Sequence, residues 1–200
     1  MNRLLKSLIK KDLLFSIKVL PVSIICAVAL PVYGGEFADN VFAVPLIALS
    51  VSAILTVLFY LSAICHLEDN PETEGFLCSL PFERRLRVFA RYIVTLLLMM
   101  AALVVATASF VIVGGGLTLS HVIWTAAILL THYAAFLYIF YKAGLQTAQY
   151  VPATLLLAGA VALKTGIAVN VELPSGGVEY VALLGAAVLF LLSAKCSTIE

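Results

Sequence analysis

Val41 to Cys65 reads VFAVPLIALSVSAILTVLFYLSAIC, an apolar run without a single charged residue. A membrane core about 30 Å thick takes roughly 20 helical residues to cross, so this stretch is long enough to span it. Its apolar residues are continuous rather than alternating, which excludes the period-of-two strands of an outer-membrane barrel. Working outward, five more runs of the same character lie between charged or turn-rich breaks: Ile17 to Tyr33, Tyr92 to Val113, Val122 to Tyr141, Val151 to Val169, and Tyr180 to Ala194. The first carries Pro21 and Pro31, the fifth carries Lys164, and the sixth is short. The expectation is an all-α integral membrane protein, with six transmembrane helices in one transmembrane domain over residues 1–200.

Composition agrees with this reading. The 200 residues are 63% hydrophobic and 12% charged, whereas a soluble domain carries about 25% charged residues to build its water-facing shell. Soluble enzymes, nucleic-acid binders and disordered chains are thereby excluded. The net charge is only +1, but the charges are unevenly placed. Eleven of the twelve Lys and Arg fall in the N-terminal segment, the second and fourth loops and the C-terminus, as Arg3, Lys6, Lys10, Lys11, Lys18, Arg84, Arg85, Arg87, Arg91, Lys142 and Lys195. The opposite loops hold Glu36, Asp39, Glu172 and Glu179, with Lys164 as the basic exception. Basic residues stay on the cytoplasmic side, so both termini are expected there, in the cell membrane. Met1 to Lys18 has no apolar core ending in a small-residue cleavage site, and the first span is read as its own insertion signal. Cys26, Cys65, Cys78 and Cys196 have neither disulfide nor zinc spacing and are read as inert.

Two elements on the basic side are amphipathic. On a wheel of 3.6 residues per turn, Leu4, Leu5, Leu8, Ile9 and Leu13 share one arc and Arg3, Lys6, Ser7, Lys10 and Lys11 the other. Residues 1–16 are expected to form an interfacial helix against membrane lipid, unless they act as a polybasic anchor alone. Asp12 falls inside the apolar arc, either to cap the first span or to pair with an Arg of the second loop. The second loop, residues 66–91, contains Asn70-Pro71 as a helix start, with Glu72 and Glu74 in the favoured opening turn. Phe76, Leu77 and Leu80 then form one apolar edge, Pro81 ends the short helix, and Arg84 to Arg91 lead into the third span. A solvated loop has no need of an apolar edge, which points to docking of a soluble partner.

Some chemistry is missing. No GxxxxGK[ST] phosphate loop occurs, so the chain binds no nucleotide by that route and is not read as an enzyme. His66, His121 and His132 are scattered rather than clustered as metal ligands, and His132 is read as a hydrogen-bonded packing residue. Lys164 is expected to snorkel outward.

The stretch Leu80-Pro-Phe-Glu-Arg-Arg85, preceded by Glu68 and Asp69 and followed by Ala90-Arg91-Tyr92, resembles the cytoplasmic loop of type-2 ATP-binding-cassette (ABC) export permeases. Lys10-Lys11-Asp12 is similar to the end of that family's interfacial helix. The likeness is greatest to the small six-span peptide, bacteriocin and phenol-soluble-modulin exporters. It implies a homodimer, or a pair with a sister chain, joined from the cytoplasm by two copies of an ABC ATPase that carry the ATP and Mg; this chain itself would hold no cofactor. It further implies that the 66–91 loop is a coupling helix with Glu72, Phe76, Leu77, Leu80, Pro81 and Arg84 against the ATPase, and that residues 165–179 cap the exit. The cargo would be an amphipathic or hydrophobic peptide. The other reading is a non-transporting immunity or regulatory membrane protein whose loop binds a cytoplasmic partner.

A path between two chains should be lined by small and moderately polar residues, because a fixed charge there is costly and a wholly aliphatic wall is indistinguishable from lipid. Ser52, Thr56, Tyr60 and the neighbouring Phe59 of the second span offer such a face, with Thr154 and Gly159 of the fifth opposite. Alternatively, Ser52 and Thr56 bond back to their own helix and simply pack.

Overall fold

The protein is described from a computed structural model. Its described residues are 2–17, 19, 21–22, 24–25, 28, 45–68, 84–112, 117–154, 157 and 177–198. These form five long helices: α1 (Asn2–Ser16), α2 (Pro45–Glu68), α3 (Arg84–Ile112), α4 (Leu119–Ala148) and α5 (Val178–Ser197). Residues 150–154 are helical as well. Among the described residues, α2 to α5 are long and apolar enough to cross a membrane. The sequence's second and sixth runs match α2 and α5 in kind, and the helices extend beyond Cys65 and Ala194 into polar residues.

The described part of α3 opens at Arg84, in keeping with the expectation that Arg84 to Arg91 lead as a helix into the third span. One boundary differs from expectation for a physical reason. α4 runs on through Lys142 to Ala148, where a loop over 142–150 was expected. The chain bends instead at Gly144, whose φ of 82° and ψ of 174° lie in a region open essentially only to glycine. Glycine therefore allows a kink there, and α4 consists of two helical segments that meet across it. Most of the first span, the 69–83 part of the second loop, most of the fifth span with Gly159 and Lys164, and most of the 165–179 loop lie outside the described residues.

Hydrogen bonds between helices fix their directions. Ser120 Oγ donates to Glu179 Oε2 at 3.3 Å and Ser193 Oγ donates to the Ala134 carbonyl at 2.8 Å, with both pairs 59 residues apart, so α4 and α5 run parallel. Ser50 Oγ lies 3.3 Å from Thr125 Oγ1, and Tyr133 Oη donates to the Ile54 carbonyl at 2.6 Å, which sets α2 parallel to α4. Tyr92, near the start of α3, bonds Ser193 and Ser197 near the end of α5, so α3 runs against the other three. The core between them holds Leu49, Ile54, Leu61, Val94, Tyr133 and Phe136, all enclosed. Several hydroxyls in the spans, among them Thr95, Thr107 and Thr131, donate to the carbonyl four residues back, which satisfies them without a partner helix.

Candidate functional site

The amphipathic pattern of α1 decides how it packs. Leu8 is buried, Ile9 and Leu13 lie against the core, and Lys6, Ser7, Lys10 and Lys11 face outward. Asp12, the residue out of place on that wheel, is buried too, at 4% exposure. Its Oδ2 lies 3.5 Å from Nε of Arg91, the largest fully enclosed side chain among the described residues. Lys11 Nζ is 3.5 Å from Oδ1, but its side chain is 53% exposed and solvent weakens that attraction. The pairing with an arginine of the second loop, one of two roles open to Asp12, is therefore the one observed.

Arg91 sits about two turns inside α3 and Tyr92 follows it. The Tyr92 hydroxyl lies 2.6 Å from Ser193 Oγ and 3.1 Å from Ser197 Oγ, and its ring meets Phe190 edge-on at 5.1 Å between centroids. Ser193 passes the chain of bonds to α4 through the Ala134 carbonyl. Two adjacent residues thus clasp three helices to α3: Arg91 holds α1, and Tyr92 holds α5 and, through Ser193, α4. Sequence reading singled out Arg91 and Tyr92 by their motif but missed the partners of Tyr92 on α5. The signal was present, since Ser193 and Ser197 are four residues apart and share one helix face.

Glu72, Phe76, Leu77, Leu80 and Pro81 lie outside the described residues. Arg84 opens α3, so the described helix starts where that segment ends and carries the clasp about two turns further on.

The residues expected along a path separate into three environments. Ser52 is fully enclosed. Thr56 and Tyr60 are nearly enclosed and line a cavity of about 580 Å³ between α2, α3 and the N-terminal residues, whose wall includes Leu13, Ile17, Leu98 and Ala101. The Thr56 hydroxyl donates back to the Ser52 carbonyl at 2.8 Å, which is the packing arrangement weighed against a path role. Phe59 is exposed on another face, and Thr154 is exposed with its hydroxyl donating to the Val151 carbonyl at 2.9 Å. Thr154 does not join the Thr56 and Tyr60 cavity.

His132 is buried beside Tyr133, with ring centroids 4.9 Å apart, and its Nε2 has no hydrogen-bond partner. It packs, as expected, and at Nε2 the expected hydrogen bonding is not seen. Cys65 is buried and Cys196 exposed, both as free thiols. Among the described residues no group of three His, Cys, Asp or Glu could hold a metal ion.

No curated protein and no solved structure matches the chain. A family model described as "ABC-2 family transporter protein" matches residues 7–199. That match takes in α1 from Ser7 onward, the Asp12 to Arg91 pair and the end of α5, so the multi-pass architecture and the clasp fall within one family assignment. Members are non-catalytic membrane permease subunits that pair with a cytoplasmic ATPase, and this chain belongs to the ABC-2 transporter family.

Proposed function

We propose that this chain is the membrane half of an ATP-driven exporter for amphipathic or hydrophobic peptides, with two copies around a shared path and two ATPase subunits below them. One observation carries the coupling part of this reading. Arg91 and Tyr92, which follow the 66–91 loop directly, are bonded to α1 and α5, so a push on that loop by an ATPase would reach three other helices at once. Buried ionic and hydroxyl contacts of fixed geometry transmit such a displacement better than sliding aliphatic surfaces, and ATP-driven closure would tilt the bundle between two arrangements.

Helix directions are compatible with the proposed six crossings: α4 and α5 are parallel, and the end of α1 lies beside the start of α3 whereas α2 begins at the opposite end. With basic residues concentrated at the α1 end, that end is cytoplasmic.

Docking is assigned to Phe76, Leu77 and Leu80, flanked by Glu72, Pro81 and Arg84. Cargo contact between two copies falls to exposed surface such as Phe59 and Thr154; Thr56 and Tyr60 open into the chain's own cavity, and Ser52 would be reached only after the helices part. The test is to purify the chain with its cytoplasmic ATPase partner. Phe76→Ala/Leu80→Ala is expected to lose about 2–4 kcal/mol of docking and release the ATPase while still inserting in the membrane. ATPase that stays bound to this variant, or wild-type hydrolysis that no amphipathic peptide stimulates, would contradict the docking or the cargo assignment respectively.

A further inference from the structure

The cavity beside Thr56 and Tyr60 has a feature that transport does not require. Among the described residues lining it, the two charged ones are Lys6 and Lys10, and both are exposed. Four residues apart on α1, they lie on one helix face, so two positive charges meet at one place on an otherwise apolar chamber. Among the described residues no carboxylate lines the cavity to neutralise them; the nearby Asp12 is committed to Arg91 and Lys11. Ala101 and Ala102 on α3 leave room that larger side chains would fill. The volume of about 580 Å³ falls well inside the range of roughly 300–1,000 Å³ in which proteins enclose small amphiphiles.

An apolar cavity of this size bordering lipid would draw in hydrocarbon, and its paired lysines select for a negative head. From this charge complementarity we propose that the cavity between α1, α2 and α3 binds one acyl chain of an anionic membrane phospholipid, with its phosphate held between Lys6 and Lys10. The lipid would fill the space between α1 and the α2/α3 pair next to the Asp12 to Arg91 contact, and would brace α1 there. This goes beyond the exporter reading and does not depend on it.

The test is native mass spectrometry of the full chain purified in detergent, with dioleoylphosphatidylglycerol and dioleoylphosphatidylcholine as probes. Wild-type protein should retain one phosphatidylglycerol about thirtyfold more tightly than phosphatidylcholine, the scale expected for two lysines meeting an anionic head. Lys6→Gln/Lys10→Gln should abolish that preference and leave phosphatidylcholine binding unchanged. Ala101→Phe should weaken both lipids, and Lys195→Gln should alter neither. Equal retention of the two lipids by wild-type protein would overturn the proposal. So would unchanged phosphatidylglycerol binding in the double lysine variant, whose exposed substitutions leave the fold intact. Displacement of the lipid by oleate at equal concentration would assign the site to free fatty acid, and displacement by a stoichiometric amphipathic peptide would assign it to cargo; either result overturns the phospholipid assignment.

Discussion

Asp12 and Arg91 bury opposite charges 3.5 Å apart, where each is tolerable only because of the other. Removing one partner leaves an uncompensated buried charge, a loss of about 3–5 kcal/mol, whereas removing both can be nearly neutral. Asp12→Leu and Arg91→Leu should each lower thermal stability in detergent, and the double variant should regain most of that loss. Additive losses would show that the two side chains are not coupled. Tyr92 makes a gentler case, because Tyr92→Phe keeps the ring against Phe190 and deletes only the hydroxyl between Ser193 and Ser197. Hydrogen bonds between membrane helices contribute modestly, so a loss of roughly 0.5–1.5 kcal/mol is expected by the same unfolding measurement. A larger loss than for Arg91→Leu would reverse the ranking of the two contacts. The charge of Asp12 was legible as an anomaly on the α1 wheel, but its partner was one of several arginines, and no spacing rule connects residues 12 and 91.

At the level of elements, α4 shows how one residue alters a boundary that hydropathy alone would misplace. Its apolar run stops at Tyr141, yet helical backbone resumes beyond a kink at Gly144 and runs to Ala148, because residues such as Gln146 and Thr147 are acceptable in a helix. Gly144 absorbs the bend with a φ of 82°. A side chain at that conformation is strained by about 1–3 kcal/mol, so Gly144→Ala should destabilise the protein by that amount or straighten the helix end. Hydrogen exchange over residues 145–148 distinguishes the two, since a straightened helix would exchange more slowly there than wild type. Unchanged stability and exchange would mean that the bend is not held by the glycine. α1 is the opposite case: its 3.6-residue pattern foretold which residues would face inward, and Leu8, Ile9 and Leu13 do so because one apolar arc has a single way to leave water.

For the whole molecule, the proposed six crossings with a cytoplasmic α1 end predict how added cysteines react. In a variant retaining Cys78 as its sole cysteine, a membrane-impermeant maleimide should label only after the cells are opened, whereas Glu36→Cys in a cysteine-free background should label from outside. Labelling of Cys78 in intact cells would overturn the orientation. Membrane character, helical class and the basic side were determined by the sequence itself, because a bilayer imposes long apolar runs and a charge bias that hold residue by residue, whatever the helices touch. Family resemblance was likewise carried by short local strings around Asp12 and Leu80 to Tyr92. Which helices run side by side, that Arg91 meets Asp12, that Tyr92 reaches Ser193 and Ser197, and that Thr56 and Tyr60 open onto a chamber beside Lys6 and Lys10 were decided only by tertiary structure. The physical reason is that apolar faces in lipid are nearly interchangeable, so helix partners are chosen by shape and by a few buried polar contacts between residues far apart in sequence, which no local pattern encodes.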